Sequence, residues 1–371
     1  MPRVVISGYY GFHNCGDEAI LFAMLQALRG LVPGLEAIVL SKEPGYTARE
    51  FGVQSISRDS PGQVLQALRS ADMLISGGGG LLQDVTSYRS LVYYLGIISM
   101  ARLLGKPVFL YAQGIGPVNS STGRSLLHLV ANSVNVITVR DSDSKDELAA
   151  MGVTRPEVYV TADPVFGLAP FQIDSKTGRE ILLSLGMNSG PVAGISVRPW
   201  MGLEDYKRVL AKIADDLMAG GWQVLLVPVH CPGDNVTCRE VAALMSRKPF
   251  LLDAGVKYSD LLSIAANLDL AIGMRLHFLI FCVIFGVPVI GIPYDPKVNS
   301  FLHTIGLAPG LSVENLEYNK LSLRLKQILD NREKICAGLR ERVALLREKA
   351  LKNAALAVEL LGSDRVRQQP K

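Results

Sequence analysis

Cysteine, histidine and aromatic residues are all scarce in this 371-residue chain: five Cys, five His, and 7% Phe, Trp and Tyr combined. Cys15, Cys231, Cys238, Cys282 and Cys336 contain no C-x-x-C pair and are odd in number. That argues against a disulfide framework or a zinc site and fits a reducing compartment. Neither a G-x-G-x-x-G fingerprint nor a phosphate loop ending in Lys-Ser/Thr is present. The nearest string, Gly11-x-x-x-x-Gly16, runs into Asp17 and Glu18, which disfavours a nicotinamide dehydrogenase or a nucleotide triphosphatase. The start, MPRVVISGYYG, lacks the apolar core and small-residue cleavage site of a signal peptide, so a cytoplasmic location is expected. Uninterrupted apolar spans are missing too. The uncharged stretch Leu276–Tyr294 approaches the roughly 20 residues of a membrane helix, but Gly286, Pro288, Gly291 and Pro293 break it into helix, turn and strand.

What is present is an ordinary globular balance, 49% apolar and 19% charged, in a length that suits two domains. The net charge of +4 hides an asymmetry: Asn319–Lys371 holds thirteen Lys/Arg against six Asp/Glu. A solvated helical face is one reading of that run. The other is attraction to anionic lipid headgroups, worth about 1 kcal/mol per basic residue. Scattered acids and few aromatics disfavour nucleic acid as a partner.

Short β-branched runs alternate with helical patterns in both halves: RVVISGYY, EAIVL, DMLISGGGG, PVFLYAQGIGP, VNVITVRD and VYVTADPVF, then VAGISVRPW, WQVLLVPVH, LDLAIGMRLH and VPVIGIPYD. This order predicts parallel βαβ units. The expected class is α/β, with two Rossmann-like, doubly wound domains facing across a cleft. Boundaries are expected at 1–170, a linker at 171–190, a second domain at 191–330, and a basic helical segment at 331–371.

Ligands of such folds sit at the carboxyl ends of strands, which makes the residues just after each strand informative. Asp17 opens a helix after SGYYGFHNCG; it either favours the helix dipole, worth roughly 0.3–1 kcal/mol, or serves binding or proton transfer. Gly77–Gly80 permit close backbone approach to a ligand, with Gln83 and Asp84 at the rim. Gln113 is expected exposed in a Gly/Pro turn. Arg140 precedes a helix whose Ser144 and Glu147 read as a capping box; it either reinforces an anion site or pairs with Asp141 or Asp143. In the second half Arg198 and His230 follow strands. Arg275 and His277 fall in the first turn of RLHFLIFCVIFG, a helix apolar on all faces and therefore interior. A helix N-terminus with a guanidinium and an imidazole suits a multiply charged anion, and Lys297 is expected to join it from the next strand end.

Taken together, SGYYGFHNCGDEAIL, ISGGGGLLQD, YAQGIGP, VRDSDS, TADPVF, GMRLHFLIF and GIPYDPKV resemble the polysaccharide pyruvyl transferases, specifically the CsaB type of bacterial cell-wall synthesis. The resemblance spans roughly Val4–Lys297 and implies a GT-B fold. It implies transfer of pyruvate from phosphoenolpyruvate, as a 4,6-ketal, to N-acetylmannosamine in a lipid-linked precursor of a secondary cell-wall polymer that anchors S-layer proteins, at the inner face of the membrane. No cofactor or metal is implied. The family's cation pattern maps onto Arg140, Arg275, His277 and Lys297. Asn14, Gln113 and Asp84 join the substrate-binding candidates, and His277 and Asp17 are the catalytic ones, as proton donor and acceptor. A nucleotide-sugar glycosyltransferase and a non-catalytic sugar or lipid-carrier binding module are the alternatives.

Overall fold

The computed structural model describes residues 1–85, 87–252 and 255–368 and divides into two compact units. The first comprises Met1–Phe12, Asp17–Leu168 and Leu346–Lys371; the second comprises His13–Gly16 and Ala169–Leu345.

The first unit is built on seven parallel strands: β1 (Arg3–Ser7), β2 (Glu36–Ser41), β3 (Gln54–Ser57), β4 (Met73–Leu82), β5 (Val108–Ile115), β6 (Val136–Val139) and β7 (Glu157–Val160), in the spatial order β3-β2-β1-β4-β5-β6-β7. The second holds β8 (Val192–Ser196), β9 (Gln223–Leu226), β10 (Phe250–Leu251), β11 (Leu270–Gly273) and β12 (Val289–Gly291), in the order β10-β9-β8-β11-β12, again all parallel. In both sheets the chain winds outward from its first strand and then returns to the other side. The direction of winding reverses between β1 and β4 and between β8 and β11, the positions where doubly wound sheets open to ligands. The central strands β8 and β11 are completely buried, as is β12 at the edge of the sheet. Helices cover both faces of a parallel sheet, which is why these segments read as continuous apolar runs rather than alternating ones.

Two local expectations are corrected. The four glycines do not follow β4 but lie within it, at a register shift between Gly79 and Leu82, with Gly78 and Gly79 at φ 63° and 78°. Glycine is required there twice over, since a Cβ on Gly78 would collide with Ile20 and one on Gly79 would stand 2.9 Å from an Asp17 carboxylate oxygen. The helix Ser142–Ala150 is not capped by Ser144. Asp141 accepts from the Ser144 amide at 2.8 Å, and the Ser144 hydroxyl instead accepts from the Ile115 amide at 3.0 Å.

Helix Leu276–Ile284 is interior as expected, with every residue buried except His277. It lies so close to β8 that a Cβ on Gly194 would come within 2.8 Å of the Phe278 ring. The basic C-terminal segment forms helices Tyr318–Asp330 and Arg332–Gln368. Leu339, Val343, Leu346, Ala350, Asn353, Ala357 and Leu361 bury one seam of the latter at helical spacing, and Arg340 and Lys349 are exposed. The Nε of Arg347, by contrast, is buried without a hydrogen bond. Residues 369–371, the end of the basic run, lie outside the described residues.

Candidate active site

Three neighbouring strand ends of the second unit deliver the most concentrated charge. Arg198 stands two residues past β8, Arg275 two past β11, and Tyr294 and Lys297 three and six past β12. The Arg198 guanidinium lies 4.3 Å from the Tyr294 ring centroid and 5.3 Å from that of Trp200, and the Lys297 ammonium lies 5.2 Å from the Tyr294 centroid. Burial alone would raise the Tyr294 phenol. Lys297, Arg198 and Arg275 outweigh it and hold the group below its ordinary value of 10.0, so the local field is positive.

The three cations differ in how far they are neutralised. Asp234 is 0% exposed, in the first turn of helix Gly233–Leu244. It accepts from the amides of Val229 (3.2 Å) and His230 (3.0 Å) and from Arg275 through Nε (2.8 Å) and Nη2 (2.5 Å). This two-pronged contact fixes the plane of the Arg275 guanidinium. Lys297 reaches Asp295 at 3.2 Å. Arg198 has no carboxylate partner among the described residues, and its Nε is buried without a hydrogen bond. His230 is held below its ordinary value of 6.5, first by burial and then by Arg275, so it is neutral at pH 7.

His277 follows the helix N-cap, Arg275, and stacks loosely on Phe281 at 6.3 Å between centroids. The short segment His13–Gly16 belongs to this unit. Asn14 forms an antiparallel bridge with His230, the Cys15 amide donates to the Val229 carbonyl at 3.2 Å, and Asn14 Oδ1 accepts from the Gly16 amide at 3.1 Å. A Cβ on Gly16 would run into the His277 imidazole, so only glycine leaves room for that ring.

The other candidates belong to the first unit. Asp17 lies in the first turn of helix Cys15–Leu31, close to Gly79. Beside it Glu18 is buried, with one oxygen accepting from the Gly11 amide at 2.9 Å and the other without a partner. Gln113 is not exposed in a turn: it is fully buried inside β5, because the strand continues through it, and its amide donates to the Ser76 carbonyl at 3.0 Å. Arg140 has a side chain 7% exposed, set between Asp163 (3.4 Å) and Asp141 (3.5 Å), and a Cβ on Gly114 would stand 2.7 Å from it. Asp84 accepts from the amides of Asn119 and Ser120 at 2.8 Å and from the Ser120 hydroxyl at 2.6 Å. Burial would raise its carboxyl, but these bonds win and lower it, so Asp84 clamps the loop before helix Ser121–Ala131.

Arg275, His277, Lys297 and Asn14 are therefore gathered in the second unit, and Asp17, Gln113, Arg140 and Asp84 lie in the first. Sequence reasoning noted Arg198 and His230 without giving them roles, and it missed Tyr294, Asp234 and Glu18. Tyr294 sat in a visible strand-end string. Asp234 carried no signal, since its importance comes from a partner 41 residues away.

Comparisons with known proteins agree with this architecture. The chain is 24% identical over 291 residues to the amylovoran biosynthesis protein AmsJ of Erwinia amylovora, covering 74% of this chain and 69% of that one. Among solved structures it resembles S. aureus MnaA with UDP (TM-score 0.68, 14% identity, 96% and 95% of the two chains). It also resembles Anabaena HepE with UDP-glucose (TM-score 0.66, 13% identity, 98% and 100%). At such identities the likeness concerns the fold, which is the expected GT-B-like fold with Rossmann-like units. The family model for polysaccharide pyruvyl transferase matches residues 14–296, and the chain belongs to that family.

Proposed function

We propose that the chain transfers pyruvate from phosphoenolpyruvate to two hydroxyls of one sugar, forming a 4,6-ketal and releasing phosphate. The observation that carries this reading is the convergence of Arg198, Arg275 and Lys297 on Tyr294 at adjacent strand ends. Phosphoenolpyruvate carries a phosphate and a carboxylate on a three-carbon frame, and charge-assisted bonds to such groups are worth about 1.5–3 kcal/mol each. The first hydroxyl adds to C2 as a proton is delivered to the methylene carbon. The second hydroxyl then displaces phosphate from C2, leaving a methyl-bearing ketal. His277 is assigned the proton delivery, imidazole being the side chain poised near neutral pH, and Asp17 the removal of a proton from the acceptor.

The acceptor we favour is N-acetylmannosamine in a lipid-linked precursor of a secondary cell-wall polymer of the S-layer-anchoring kind. The basic segment Asn319–Lys371 would hold the enzyme against the inner leaflet. AmsJ, a protein named for amylovoran biosynthesis, supports a saccharide acceptor.

A nucleotide-sugar donor is the competing reading, favoured by the UDP and UDP-glucose bound to the structural relatives. Incubating the protein and a saccharide acceptor with phosphoenolpyruvate and, separately, with UDP-sugars separates the two. Release of inorganic phosphate only from phosphoenolpyruvate supports the proposal, and release of UDP overturns it. Acceptor binding with neither product would leave a binding module.

A further inference from the structure

A cavity of about 490 Å³ opens in the second unit beside β12, the last strand of its sheet. It is within the size range of small-ligand sites. The Arg198, Arg275 and Lys297 cluster contributes nothing to its lining. Its walls are mostly apolar, with Ile290, Leu302, Ile328 and Ile335 among them, and Gln327 and Asn331 add two neutral polar side chains. Three further residues lining it are Arg324, Lys334 and Arg342, and among the described residues no Asp or Glu lines it. Arg324 is anchored by a hydrogen bond to the Pro309 carbonyl at 3.2 Å. Lys334 and Arg342 are exposed, and Arg342 lies alongside Gly306.

The volume is kept open by small residues. Gly338 sits inside helix Arg332–Gln368, where glycine is a poor helix former, and a Cβ there would meet nothing within 4 Å. Water gains little from the apolar walls, and three cations without a carboxylate among them favour an anion.

We infer that this cavity binds a single-chain amphiphilic anion, a long-chain phosphate monoester whose tail occupies the apolar chamber and whose phosphate meets Arg324, Lys334 and Arg342. A single chain suits the volume, whereas a bilayer surface would engage only the exposed cations. The inference concerns the second unit alone and does not depend on the pyruvyl-transfer reading.

Isothermal titration calorimetry of the full chain, with no donor or acceptor present, tests it. The probes are dodecyl phosphate below its micelle concentration, dodecyltrimethylammonium and inorganic phosphate. Dodecyl phosphate is expected to bind at one site, at least tenfold tighter than either of the others. Gly338→Trp fills the chamber, and Arg342→Glu reverses one of its charges at an exposed position where folding is not at stake. Each is expected to weaken dodecyl phosphate at least tenfold. Absent binding, equal binding of all three probes, or binding indifferent to Arg342→Glu would overturn the assignment. So would binding to anionic vesicles alone.

Discussion

Glu18 is 2% exposed, and burial pushes its carboxyl from the ordinary 4.5 up to about 8, with the Gly11 amide opposing the rise and Asp17 adding to it. A folded-state value raised above the unfolded one gives stability that is complete below about pH 4.5 and lost as pH rises through about 8. Glu18→Gln removes the titration, so its melting temperature is expected to vary less than that of the parent between pH 5 and 9. Parallel pH profiles would exclude the buried, protonated carboxyl. At the second unit, His277→Ala is expected to lower turnover by about 10²–10⁴-fold, the usual worth of a positioned proton donor, with phosphoenolpyruvate affinity largely kept. Near-normal turnover removes His277 from the chemistry. Arg275 and His277 were legible because a cation and an imidazole interrupt an apolar run. Glu18 was overlooked because its neighbour Asp17 offered the same helix-start explanation, and only burial distinguishes the two.

At the level of elements, ten of the twelve described strands, all but the short β3 and β10 with no buried residue, were legible as apolar runs in parallel sheets. Turn chemistry was not. The sequence QGIGP reads as a turn, yet β5 runs through Gln113 to Ile115, because pairing with β4 and β6 overrides local preference. Likewise Asp141 took the helix cap that Ser144 and Glu147 advertised, leaving Glu147 to pair with Arg124 at 2.9 Å. The close approach of helix Leu276–Ile284 to β8 gives a further test. Gly194→Ala places a methyl within 2.8 Å of Leu268 and Phe278 and is expected to cost about 1–3 kcal/mol by overpacking, read from the midpoint of urea unfolding. An unchanged midpoint would mean that helix and strand are not held so tightly.

For the whole molecule, the division into two Rossmann-like units followed from the repeated alternation. The assignment of His13–Gly16 to the second unit, and of the chain from Leu346 onward to the first, did not follow, since both depend on contacts distant in sequence. Among the described residues no helix is long and apolar enough to cross a membrane. The proposed hold on the inner leaflet therefore rests on the basic segment, and such attraction decays over a Debye length of about 8 Å at physiological salt. Co-sedimentation is expected to recover more protein with anionic than with neutral liposomes at low salt, and equal recovery would leave the segment a solvated helical face. The central claim is that the cation cluster of the second unit is a phosphoenolpyruvate site. Titration calorimetry of phosphoenolpyruvate into the protein and its Arg275→Ala and Lys297→Ala variants addresses that claim most directly. The expected result is one site whose affinity falls at least tenfold in each variant, a loss of about 1.4 kcal/mol or more; affinity unchanged in both variants, or no binding to the parent protein, would contradict it.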